Sequence, residues 1–169
     1  MKRNPIRFCF LTLSLILLFS ACHKRSYRND LSAAELAGSL SGVLGMDADF
    51  GDGSLLSDQI EVPESADLTV CTAKSGMNID EFGIWRADNP AEARRLLETY
   101  LEESYRQNKS YYDSYIPEQT AKLRDAEVRV FGSYAVYAIL NPEQKAVFFP
   151  AAEKLLSSDP HANIYPYSG

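Results

Sequence analysis

Glu127-Val128-Arg129-Val130-Phe131-Gly132-Ser133-Tyr134-Ala135-Val136-Tyr137-Ala138-Ile139-Leu140 is the stretch on which the fold turns. Two runs rich in β-branched and aromatic residues are separated by Gly132-Ser133. A two-residue connection containing glycine is what a tight hairpin needs, because such turns demand a positive φ. Strands are therefore expected over 127–131 and 134–140, paired antiparallel. Val128 and Val130, and then Val136, Ala138 and Leu140, alternate with Arg129 and Tyr137. That alternation predicts a sheet with one covered and one solvated face.

The same grammar occurs once more upstream. Leu68–Ala73 and Glu81–Arg86 read as strands joined across Lys74-Ser75-Gly76-Met77-Asn78. Each hairpin leads into an Asn-Pro helix start, Asn89-Pro90-Ala91-Glu92 and Asn141-Pro142-Glu143. Asparagine caps the free N–H groups there, and proline fits the first turn. Ala93, Leu96, Leu97, Tyr100, Leu101, Ser104 and Tyr105 form an apolar stripe that carries the first helix to about Tyr112. The second runs to about Leu156. Pro117 opens a short turn or helix with Ala121 and Leu123. Ahead of both units, Ser32-Ala33-Ala34-Glu35 is a capping box. Leu36, Leu40, Val43 and Leu44 follow at helical spacing as far as Gly45, and residues 46–59, rich in Gly, Asp and Ser, read as a loop. The order is α-ββα-ββα. This predicts an α+β fold, an antiparallel sheet of about four strands with helices packed on one face.

The N-terminus is a different kind of sequence. Lys2, Arg3 and Arg7 precede an apolar run over residues 8–19, which ends in Phe19-Ser20-Ala21-Cys22. A basic start, a short apolar run and small residues before a cut make a secretory signal. The run is too short for a helix that must cross about 30 Å of hydrocarbon. The tetrapeptide resembles the lipobox of bacterial lipoproteins, with Phe19 where leucine is commonest. That resemblance implies cleavage between Ala21 and Cys22 and lipidation of Cys22. The expected organisation is a signal over 1–21, a polar tether over 22–31, one domain over 32–156 and a loose tail over 157–169. The expected location is the extracytoplasmic face of a bacterial cell membrane, held there by lipid.

Charge narrows the partners. The chain has 17 basic and 23 acidic residues, a net of −6. Three of the basic residues lie in the signal, so its removal takes the net from −6 to −9. Nucleic acid is excluded as a partner, since binding it depends on neutralising phosphates. Of three cysteines, Cys9 leaves with the signal and Cys22 is taken by lipid. Cys71 is left alone in an apolar strand, so no internal disulfide forms. It reads as a buried packing residue, because a reactive thiol wants an electropositive, accessible setting.

Candidate chemistry is sparse. Asp47, Asp49, Asp52 and Asp58 invite a calcium-loop reading, but such a loop needs glycine at its sixth position and a following helix. The fifth position here is Gly51 and the sixth Asp52, so a solvated acidic loop is expected, with no metal and no cofactor. The two histidines, His23 and His161, lie beside the lipid and in the tail, where neither can serve as a fixed base for a nucleophile. Two carboxylates drawn from Asp80, Glu81, Glu118 or other acids would suffice for glycoside hydrolysis, which leaves a small envelope hydrolase as the alternative. No catalytic residue is assigned. Tyr111, Tyr112 and Tyr115 form the candidate recognition patch, since tyrosine offers an apolar ring with a polar tip to a sugar, peptide or protein face. The expectation is a non-enzymatic, lipid-anchored module that binds or organises an envelope protein or polymer.

Asp80-Glu81-Phe82-Gly83-Ile84-Trp85-Arg86, Tyr115-Ile116-Pro117-Glu118-Gln119, Leu123-Arg124-Asp125-Ala126-Glu127-Val128 and Gly132-Ser133-Tyr134 together resemble the bacterial lipoprotein family of domain of unknown function 4358. The resemblance covers roughly residues 68–149. It implies a Gram-positive-type envelope lipoprotein with an α+β domain, and it carries no catalytic residues over.

Overall fold

The computed structural model describes residues 25–75 and 78–158. The elements run α1 (Ala33–Leu44), β1 (Ala48–Asp52), a 3-10 turn (Gly53–Leu56), β2 (Asp67–Ala73), β3 (Glu81–Arg86), α2 (Pro90–Tyr115), α3 (Pro117–Arg124), β4 (Glu127–Phe131), β5 (Tyr134–Ile139) and α4 (Pro142–Leu156). All five strands pair antiparallel in one sheet of order β1-β2-β3-β5-β4. The fold is α+β, as expected.

The caps act as their residue types dictate. Ser32 and Glu35 close a capping box on α1, and Gly45 ends that helix in the left-handed conformation that glycine tolerates. Asn141 and Gln144 close a second box on α4. Asn89 accepts from Glu92 N at the start of α2. Gly132 takes a φ of 60° in the β4–β5 turn, so the hairpin forms where the Gly-Ser pair requires it. The helix after Pro90 continues to Tyr115, and Ile116, the residue before Pro117, breaks it at extended φ.

The placement of helices differs from the sequence reading. They do not pack on one face. Helices α1 and α4 cover one side of the sheet over Cys71, Phe82, Ile84, Val136 and Ala138. Helices α2 and α3 cover the other over Val70, Trp85, Ala135, Tyr137 and Ile139. All six residues of β5 are buried, including Tyr137, for which the alternation predicts a solvent-facing side chain. Val128 pairs with Tyr137 and Val130 with Ala135, so the β4 valines share the α2 side and not the face of Val136 and Ala138. A fifth strand, β1, also occupies part of the stretch read as a loop.

The stretch read as a tether contributes to the folded body from Arg25 onward. Tyr27 bridges Ser157 in antiparallel fashion, Arg28 N donates to Leu156 O, and Ser158 N donates to Ser26 O. The Tyr27 ring meets Phe131 edge-on at 5.9 Å, and its hydroxyl lies 3.2 Å from Glu153. Further along, Arg86 donates to Asn29 O, Tyr134 Oη donates to Leu31 O, and Asp67 accepts from Ala33 N. Residues 25–31 thus form a strap across one end of the sheet.

Candidate functional site

At the other end of the sheet, α2 overruns its support. Its last buried residue is Ser104, and the helix continues for three more turns. Those turns carry the tyrosines. Tyr111 is 57% exposed and Tyr115 73% exposed. Their rings lie 5.0 Å apart, and Tyr111 meets Tyr112 edge-on at 5.4 Å. Tyr112 is half-buried and packs on the core beneath. The three candidate residues therefore come together, two as a surface and one as its root. They sit on a helix rather than in the connecting loop. Lys109 and Asp113, paired one turn apart, lie on the same turns.

Beneath this patch is an arrangement that the sequence reading did not single out. Glu81 opens β3, and its Oε1 accepts hydrogen bonds from both Tyr100 and Tyr137, each at 2.7 Å. Burial raises the Glu81 carboxyl, and the two phenols offset part of that rise. Burial next to Glu81 likewise raises both phenols, Tyr137 well above its ordinary range. The Tyr112 phenol is raised by burial, then by the neighbouring Tyr111 and Glu81. A carboxylate thus lies at the inner end of a row of tyrosines whose outer members are exposed.

Gly83 makes this geometry possible. It pairs with Tyr137 across β3 and β5, and a Cβ at Gly83 would stand 2.1 Å from the Tyr137 ring. The ring therefore lies across the glycine to reach Glu81. Glu-x-Gly on one strand opposite a tyrosine on the next would have been the signal for it.

The neighbouring acid, Asp80, is committed elsewhere. It is 5% exposed and accepts from Lys122 at 2.5 Å, Gln144 at 2.7 Å and Asn78 at 3.0 Å. Burial would raise its carboxyl, but Gln144, Lys122 and Asn78 together hold it below the ordinary carboxylate value. This knot ties the β2–β3 connection to α3 and α4.

Ala21, Cys22, His23 and His161 lie outside the described residues. Cys71 is fully buried, and desolvation pushes its thiol up to about 12. Two acids of the acidic stretch are engaged locally: Asp47 pairs with Lys74 at 2.7 Å, and Asp52 caps the 3-10 turn through Ser54 N. No group of metal-ligating side chains occurs among the described residues. A cleft of about 840 Å³ opens at the strap end between Trp85, Arg86, Leu96 and Val62. Its arginines are already paired, Arg86 with Asp67 and Arg95 with Glu92, each at 2.6 Å.

A family model described as Domain of unknown function (DUF4358) matches residues 59–140. That segment is similar to the family, over a little less than half of the chain. The match spans β2 to β5 and so includes Glu81, Gly83, Tyr100, Tyr137 and the tyrosine patch, while α1, β1 and α4 lie outside it. No curated protein and no solved structure matches the chain.

Proposed function

We propose that this protein is a lipid-anchored envelope module that binds a protein or polymer through Tyr111 and Tyr115 and does not catalyse. Exposed paired rings on a projecting helix carry this reading, since interface energy concentrates on aromatic anchors. Tyr112 and the Glu81 cluster fix the helix that displays them. The paired-carboxylate hydrolase is not favoured. Asp80 is held by three partners and Glu81 by two phenols, so neither is free to protonate a leaving group or activate water.

With the chain from Cys22 as bait against solubilised envelope, Tyr111→Ser/Tyr115→Ser should weaken capture about tenfold or more. Both side chains are largely exposed, so the melting temperature should hold. Undiminished capture by a folded double variant sinks the recognition reading. The anchor has its own test: Cys22→Ala should abolish fatty-acid labelling and release the protein from membranes.

A further inference from the structure

The two ends of the sheet have different neighbours, and the chain's covalent path makes that difference spatial. Arg25, the first described residue of the strap, is ion-paired with Glu153 near the end of α4. From there the strap passes Phe131 and Gly132 at the β4–β5 turn, then Arg86 at the end of β3, then Asp67 at the start of β2. Every contact lies at the same end of the sheet. Cys22 precedes Arg25 by three residues. Whatever path joins them, three trans peptide steps span at most about 11 Å.

The tyrosine patch lies at the opposite end. Helix α2 starts at Pro90, just after Ala87 N donates to Ser133 O in the β4–β5 turn, and so starts at the strap end. It passes Glu81, at the far end of β3, where Tyr100 bonds to it. With 26 residues at 1.5 Å rise, the helix is about 39 Å long. Tyr111 and Tyr115 occupy its last two turns, beyond the sheet.

We propose that the lipid at Cys22 seats the strap end of the domain on the bilayer and that α2 acts as a spar holding Tyr111 and Tyr115 away from it. This rests on the reading that Cys22 carries the lipid. The tyrosines then stand roughly a helix length out from the headgroups, clear of the lipid surface. The strap is held by backbone pairing, a ring contact and three side-chain contacts to its carbonyls and first helical N–H. It therefore fixes the orientation where a free tether would let the domain tumble.

The test uses the single tryptophan, Trp85, which pairs with Leu68 and Ala135 near the strap end. The chain from Cys22 to Gly169 is coupled through Cys22 to a maleimide-headgroup lipid in phosphatidylcholine vesicles; the buried Cys71 does not compete. Energy transfer is measured from tryptophan to a dansyl-headgroup lipid. Trp85 should transfer several-fold more efficiently than the tryptophan of a Trp85→Phe/Tyr115→Trp variant. Where loss of Trp85 unfolds the domain, Tyr115→Trp with Trp85 retained serves instead. Its second tryptophan should add emission but little transfer. Equal transfer from both positions, or greater transfer from residue 115, overturns the proposal. Because the coupling is chemical, orientation is read independently of lipidation in cells. A failure of fatty-acid labelling at Cys22 removes the anchor reading while leaving the geometry measured.

Discussion

Glu81 and Gly83 form a pair of residues neither of which makes sense alone. A carboxyl raised by burial contributes stability that is whole below its unfolded-state pKa, near 4.5, and is lost as pH rises through the folded-state value. Glu81→Gln keeps an oxygen for both phenols and cannot ionise. Its melting temperature should match the wild type near pH 4 and exceed it increasingly towards pH 8. A constant difference across that range would show that Glu81 does not titrate abnormally. Glu81→Leu removes the acceptor from two buried phenols and should cost about 2–4 kcal/mol. Gly83→Ala drives a methyl into the Tyr137 ring and should cost about 1–3 kcal/mol by urea titration. The sequence displayed Glu81 as one of several candidate acids and Gly83 as a strand and motif residue, with nothing to join either to Tyr137. Their partner Tyr137 was misread because tyrosine counts as polar in an alternation pattern, while its ring is large enough to fill a core. Tyr111 and Tyr115 were legible as surface residues for the converse reason: they fall beyond the last apolar repeat of α2.

At the scale of elements, caps and turns were legible because each is decided within a few residues: Ser32 with Glu35, Asn89-Pro90, Gly132-Ser133 and Asn141-Pro142. The layering was not, because it depends on what meets each strand from afar. Tyr-Ala-Val-Tyr-Ala-Ile over β5 is a nearly continuous apolar run, which is the mark of burial on both faces rather than one. Strand β1 was hidden by its composition, Ala-Asp-Phe-Gly-Asp. An edge strand pairs through one side only and leaves Phe50 53% exposed, so its side chains need not read as β. The Asp80 knot joins three elements and predicts its own pH dependence. A carboxyl held below its ordinary value contributes stability present above the unfolded pKa and lost as pH falls through the folded one. Lys122→Met removes a buried partner and should destabilise by about 3–5 kcal/mol at pH 7, with the deficit shrinking at acid pH. A deficit that stays constant down to pH 2 would mean the lysine acts through packing alone.

For the molecule as a whole, the distinction that matters is between a domain hung on a tether and a domain that incorporates it. Residues 25–31 add an antiparallel bridge to Ser157, made of two backbone hydrogen bonds, and the Tyr27–Phe131 ring contact, and they close the end of the sheet where the β4–β5 turn would otherwise face water. A free tether would leave folding stability unchanged on removal. An incorporated strap would not. Tyr27 is half-buried, so its ring contributes less than the 3–5 kcal/mol of a fully buried aromatic, about 2 kcal/mol. Tyr27→Ala should therefore lower the urea midpoint measurably. A chain beginning at Ser32 should lose more, because the strap's backbone pairing goes with it. The two variants should also differ in kind. Tyr27→Ala keeps the strap's hydrogen bonds and should leave amide exchange slow at Arg28 and Ser158, whereas the shortened chain should expose the end of α4 and speed exchange there. If the chain from Ser32 melts with the full-length domain, the strap is a passive lead and the fixed orientation that depends on it fails as well.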